Sequence, residues 1–226
     1  KLNKILQRLK EKKIENVILE ASSHGLKQNR LDSINFNIGI FTNLSRDHLD
    51  YHKSYKDYLN SKMILFNRLM TKKSNIIYDN EIPQSKILKK ISNRKNLSST
   101  TIGNNKSDLN IIKHSYIGDK QVIRFKFKNK IYKFETGLIG KLQIKNLLMS
   151  ILAANKSNIS MNKIIRKIKN IKSVNGRLEK IGKIKNNSIV ILDYAHTPEA
   201  LKTCLASIKD QFKLRKISII FGCGGD

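Results

Sequence analysis

Val17-Ile18-Leu19-Glu20 and, after a polar interval, Ile38-Gly39-Ile40-Phe41-Thr42-Asn43-Leu44-Ser45-Arg46-Asp47-His48 decide the fold class. Each opens as a short apolar run, too brief for a helix of its own, and ends on residues able to do chemistry. The first run is preceded by Leu2, Ile5, Leu6 and Leu9 at helical spacing. Helix followed by short apolar strand, repeated, predicts an α/β fold with a mostly parallel central sheet flanked by helices. Ligands gather beyond the carboxyl ends of such strands, which places Glu20 and His48 on one rim.

Further along, Tyr55, Tyr58, Leu59, Met63, Phe66, Leu69 and Met70 recur at three- and four-residue steps and predict a helix with one apolar stripe. Lys62 falls inside that stripe, whereas Lys56, Asp57, Asn60 and Arg68 take the wet side. A lysine there must snorkel, pair with an anion or lose its proton, because desolvation disfavours the ammonium. Ile76-Ile77-Tyr78 reads as a strand, and the polar stretch from there to about Asn105 as loop with short elements. Alternation through Ile123, Phe125 and Phe127, then Tyr132 and Phe134 after an Asn129-Lys130 turn, predicts an antiparallel hairpin. Helices are expected over residues 142–156 and 161–171. Asn175-Gly176 marks a break, dividing a first domain, 1–175, from the start of a second, 176–226. In the latter, residues 189–192 and 217–221 read as strands, and Thr197-Pro198 opens a helix running to about Phe212.

The 226 residues carry a net charge of +28, a balance that ordinarily points to nucleic acid, an anionic membrane surface or an acidic substrate. The lysines are spread along the whole chain, and the denser runs, Lys10 to Lys13 and Lys86 to Lys95, lack the interleaved aromatics on which single strands stack. Two cysteines, Cys204 and Cys223, are too few and too far apart for a disulfide framework or a zinc site, so a reducing cytoplasm is the expected compartment. No apolar stretch approaches the ~18 residues that span a bilayer. The chain opens on Lys1 and closes on Gly224-Gly225-Asp226 straight after an apolar run, so both ends read as cut.

Two polar segments follow strands directly: Glu20-Ala-Ser-Ser-His-Gly-Leu-Lys-Gln-Asn-Arg30 and Thr42-Asn-Leu-Ser-Arg-Asp-His-Leu-Asp-Tyr-His52. Taken alone, the first is a capped loop and His48 a surface histidine. With Lys62, Asn175-Gly-Arg-Leu-Glu179, Asp193-Tyr-Ala-His-Thr-Pro-Glu-Ala-Leu201 and Phe221-Gly-Cys-Gly-Gly-Asp226, the chain closely resembles the Mur ligases of peptidoglycan synthesis. Within them it is most similar to the branch that adds the third amino acid of the stem peptide. The resemblance spans nearly the whole chain in the family's order and spacing.

That resemblance implies a cytoplasmic, monomeric, ATP-dependent amide ligase acting on UDP-MurNAc-L-Ala-D-Glu and a free amino acid through an acyl phosphate, with magnesium as cofactor. It also implies that residues 176–226 begin a Rossmann-like domain. It implies Glu20 and His48 as magnesium ligands and Lys62 as the lysine that becomes an N6-carboxylysine, the three forming the catalytic set. Burial supports the last assignment, since carbamylation needs a neutral amine and turns a costly cation into an anion that magnesium can pair with. Ser22, Gln28 and Arg30 match the positions that hold the UDP-muramoyl-dipeptide, the arginine offering a bidentate fork to carboxylate or pyrophosphate. Asn146, Arg177 and Asp193 match nucleotide-contacting positions, Asn146 toward adenine. His196, like Tyr194 just after Asp193, is at a helix start where a nucleotide could also be met.

Departures accompany the match. The family's Gly-x-x-Gly-Lys-Thr segment and its uridine-binding domain should precede Lys1, so residues 1–226 alone are expected to be inactive. Gln143 stands where the family more often has Asn. Sister readings are another Mur ligase or a folylpolyglutamate synthetase, against which the Ser-Ser-His-Gly and Ser-Arg-Asp-His-Leu-Asp-Tyr-His segments argue. From another class comes a basic nucleic-acid-binding module, which would bind with steep salt dependence, whereas the ligase reading expects no specific nucleic acid and no membrane insertion.

Overall fold

The structure, a computed structural model, describes residues 2–45, 48 and 50–222. Its centre is a six-stranded sheet built from β1 (Phe36–Phe41), β2 (Met70–Asp79), β3 (Ser98–Gly103), β4 (Leu109–Ile117), β5 (Lys120–Phe127) and β6 (Lys130–Thr136). The strands lie in sequence order, the first four parallel and the last three an antiparallel meander. Around it lie α1 (Leu2–Glu11), α2 (Ser23–Lys27), α3 (Tyr55–Ile64), α4 (Ser85–Lys95), α5 (Lys141–Lys156) and α6 (Met161–Ile168).

Strand β2 shows why this sheet must be covered twice. Successive side chains of a strand point to opposite faces. Ile76 and Tyr78 accordingly join Met63 of α3 and Leu88 and Ile91 of α4, while Ile77 between them joins α5 on the other face. Helix α5 meets it with Ile144, Leu147, Leu148, Ile151 and Leu152, a stripe of helical period. Each such fully buried aliphatic side chain contributes about 1.5–3 kcal/mol. Gly39 of β1 is required by the opposite layer: a Cβ there would lie 2.7 Å from Sδ of Met70 and 2.9 Å from the ring of Phe66.

The antiparallel hairpin, the helix at 141–156 and the first helix are where the sequence predicts them. Three expectations differ, and one strand, β4, is not among those expected. The Tyr55 helix is α only to Ile64; it widens into a π-helical turn, Leu65–Leu69, and Met70 already begins β2. The polar interval before Asn105 contains α4 and β3, whose buried Leu88, Ile91 and Ile102 are too sparse to stand out beside their polar neighbours. Residues 109–117 form β4, the strand that joins the hairpin to the parallel part. Val17-Ile18-Leu19 and residues 217–221 are not strands, and Ile18 and Ile220 are fully exposed. A strand exists only where a neighbour takes its backbone donors and acceptors, and among the described residues these two segments pair with none.

Past the Asn175-Gly176 turn, where Gly176 has φ +67°, β7 (Glu179–Lys183) and β8 (Ile189–Leu192) form a separate antiparallel pair, followed by α7 (Pro198–Gln211). Thr197 caps α7 by accepting the amide of Ala200, with Pro198 at the first helical position. A polar clasp ties this part to the meander. Gln211, buried, accepts the Gly140 amide and donates to the Asp119 carbonyl. The Tyr116 hydroxyl donates to Asp210 at 2.6 Å, and Lys141 pairs with the same carboxylate at 3.0 Å.

Candidate functional site

Ser22 begins the first cluster as the N-cap of α2, its Oγ accepting the amide of Gly25 at 3.1 Å. That bond uses an acceptor lone pair and leaves the hydroxyl proton to donate outward. Ser22, Glu20 and Arg30 line one open cleft of about 470 Å³ with Leu2, Gly25 and Leu31. Glu20 is exposed and follows an irregular segment, not the strand end expected for it. Gln28, at the end of α2, donates to the hydroxyl of Tyr51 at 3.0 Å.

Helix α3 supplies the second wall. Ser54 caps it by accepting the Asp57 amide, and Asp57 reaches back to accept the amide of Lys53, the residue before the cap, so the two bonds set where the helix begins. Asp57 also pairs with Lys27 of α2 at 2.5 Å, and this hydrogen bond holds its carboxyl below the usual range against the opposing effect of desolvation. Lys62 is half-buried in the last turn of α3, its Nζ 5.0 Å from the centre of the Tyr58 ring. His48 meets the same ring edge-on at 5.8 Å. Tyr58 thus contacts both His48 and Lys62, two of the three residues expected at the metal. His48 has φ +56°, a left-handed backbone that Asn29, Lys73 and other non-glycine residues of this chain also adopt. Its sequence neighbours Arg46, Asp47 and Leu49 lie outside the described residues, as does Cys223 with the rest of the glycine loop.

Rings not among the expected site residues, His24, Tyr51 and His52, pack between these walls. His24 of α2 packs on Tyr51 at 4.0 Å and edge-on to His48 at 5.0 Å; His52 stacks on Tyr58. The available signal was the density of His and Tyr between 48 and 58. Among the described residues, no three His, Cys, Asp or Glu side chains converge as a metal cage.

A second cluster joins α5 to the turn before β7. Gln143 donates to the carbonyl of Arg177 at 3.2 Å, one helical turn from Asn146, whose Oδ1 is buried with no hydrogen-bond partner. The Arg177 guanidinium lies over the Tyr194 ring at 5.1 Å. Asp193 accepts the amides of Leu178 and Ala195, so both its oxygens hold backbone in place. His196 is exposed and places Nδ1 2.9 Å from the Tyr194 carbonyl. Burial and then the Asp193 charge push the Cys204 thiol up to about 11, leaving it a packing residue. Next to Asn146, Lys145 pairs with the buried Asp79 at the carboxyl end of β2, a link the sequence does not advertise.

A doubly covered, mostly parallel sheet flanked by these polar clusters defines an α/β domain. Residues 1–154 match the Mur ligase middle domain and residues 176–226 the Mur ligase glutamate ligase domain. The chain therefore belongs to the Mur ligase family. It is 38% identical over 99% of its length to the UDP-N-acetylmuramoyl-L-alanyl-D-glutamate--2,6-diaminopimelate ligase of Rickettsia conorii, and 33% identical to that of Agrobacterium fabrum. It spans 46% of each, about half the length of the curated relatives it matches. A solved structure of a ligase of that name superposes over 92% of this chain and 42% of its own, with TM-score 0.72 and 27% identity. The Thermotoga maritima MurF ligase in complex with ADP shares the fold at TM-score 0.67 and 16% identity, over 79% of this chain and 40% of its own.

Proposed function

We propose that the full-length protein is an ATP-dependent amide ligase that adds 2,6-diaminopimelate to UDP-MurNAc-L-Ala-D-Glu, working as a cytoplasmic monomer. Residues 1–175 and 176–226 would belong to its ATP-using and carboxyl-terminal domains. The choice of amino acid follows the names of the relatives. The observation that carries the reading is that His48 and Lys62 both contact the Tyr58 ring of α3, the helix tied by Asp57 to Lys27 of α2, beside the Glu20–Ser22–Arg30 cleft.

In this reading Arg30 offers its fork to a substrate carboxylate or pyrophosphate, and Ser22 donates its remaining proton. Asn146 presents an orphaned buried acceptor, which suits an exocyclic amine such as that of adenine. Stacking on Tyr194 occupies the face of Arg177 and leaves its N–H edge for phosphate or ribose oxygens. Asp193 and His196 would shape the same site, the former by fixing the backbone on either side of the nucleotide.

Lys62 carries the remaining chemistry. Its neutral amine would attack the carbon of CO₂ and release a proton, giving a carbamate. Magnesium prefers oxygen ligands and keeps several waters; with Lys62 in that form, Glu20 and the carbamate would supply oxygens and His48 a nitrogen. When bound, it would neutralise the charge of the phosphates in transfer.

Phosphate release from ATP by the full-length protein tests the function. It should require UDP-MurNAc-L-Ala-D-Glu and diaminopimelate together, and turnover with neither, or with lysine preferred, would overturn it. Lys62→Ala should abolish turnover and recover part of it with short carboxylic acids. Wild-type rates in that variant without rescue would remove the carbamate role.

A further inference from the structure

Between the two walls of the first cluster lies an imidazole that the proposed reaction does not use. His52 is 1% exposed. Its Nε2 lies 3.0 Å from Oγ of Ser23, itself 3% exposed and adjacent to the cap residue Ser22 in α2. Its face stacks on Tyr58 of α3, with centroids 4.9 Å apart and planes 30° from parallel. Nδ1 is 3.5 Å from the Asp57 carboxylate and completes no hydrogen bond. Lys27 and Asp57 close the same gap from the side, joining α2 to α3 directly.

The arrangement uses two properties of one ring. The Ser23 contact fixes α2, whose first turn carries Ser22 and Gly25 into the cleft. The stacked face fixes the Tyr58 ring, on which Lys62 and His48 both rest. Volume alone could be filled by a leucine, and a hydrogen bond alone by a glutamine. An imidazole satisfies a buried hydroxyl and presents a flat face at once.

We propose that His52 is a positioning residue of the ligase site, coupling the substrate cleft on α2 to the His48–Lys62 pair on Tyr58. This rests on the ligase reading above. The two roles separate by substitution. His52→Phe keeps the stacking face and loses the Ser23 bond; His52→Gln keeps a polar atom near Nε2 and loses the stack.

In the full-length protein, H52F is expected to raise the KM for UDP-MurNAc-L-Ala-D-Glu about tenfold, as loss of one buried hydrogen bond allows, with kcat within about twofold of wild type. H52Q should show the opposite split: kcat lower by about 10–100-fold, the usual cost of removing a partner of a site residue, with KM near wild type. H52Q should also weaken Mn²⁺ binding read by electron paramagnetic resonance, whereas H52F should not. Ser23→Ala should reproduce the KM effect of H52F, and the double variant should add nothing to it. Should H52Q fail to fold, the S23A–H52F pair carries the test. Equal losses in kcat and kcat/KM from both His52 variants, in step with their thermal stability, would reduce His52 to packing, and unchanged kinetics would remove it altogether. An inactive wild-type protein would instead overturn the ligase reading and this inference with it.

Discussion

The six-stranded sheet and the part beyond Gly176 are both made of short apolar runs, yet they differ in what those runs achieve. In β2, Ile76, Ile77 and Tyr78 are all but inaccessible, with helices on both faces. In β8, Val190 and Leu192 remain exposed, and residues 217–221 form no strand. The buried cluster beyond Gly176 is small, Leu178 and Phe212 meeting Ile139 with Ile189, Ile191, Cys204 and Ile208 around them. Polar contacts carry relatively more of the attachment there: Gln211 to Gly140, Tyr116 to Asp210, Lys180 to Asp119. The two parts should therefore respond differently to cavities, lost hydrogen bonds and acid.

Leu148→Ala, at a site with no exposure on α5, should have the largest effect, about 2–5 kcal/mol of global stability, measured by urea unfolding. A loss below 1 kcal/mol would mean the sheet is less tightly covered than described. Phe212→Ala, in the smaller cluster and 8% exposed, should cost about 3 kcal/mol, the low end for a buried phenylalanine. Hydrogen exchange should show the loss confined to residues 176–211; a matching loss in β1–β6 would make the two parts one cooperative unit. Tyr116→Phe removes one bond to a carboxylate and should cost about 1 kcal/mol, again read as faster exchange in α7.

Acid supplies the smallest and most selective probe. The Tyr116 hydrogen bond and Lys141 hold Asp210 below the usual carboxylate range, and the Lys180 hydrogen bond does the same for Asp119. A carboxyl depressed in the folded state contributes stability above its unfolded pKa, here about 3.8, and that contribution is lost as pH falls through the lower folded value. Exchange in α7 should accelerate in that window before the sheet opens. Asp210→Asn should flatten the dependence, and an unchanged pH profile in that variant would place the acid sensitivity elsewhere.

The candidate site was unevenly legible for the same reason. Lys62, His48, Glu20, Ser22 and Arg30 stand in segments whose order and spacing survive as text, so they could be named without coordinates. His52 and Tyr58 were visible only as one more histidine and one more member of an apolar stripe. Their roles depend on a 4.9 Å stack across two elements, which no spacing along the chain encodes. Lys145 is similar: it adjoins Asn146 in sequence, but Asp79, its partner, is on β2.

By itself the sequence determined the α/β class, the hairpin, the helix α5 and the family, because periodicity and motif order are local properties of the chain. Tertiary structure decided which apolar runs became strands, where the Tyr55 helix widened and ended, and which rings gathered around Lys62. Those outcomes depend on a partner distant in sequence: a strand needs a neighbour's backbone, and a buried ring needs a surface to stack on.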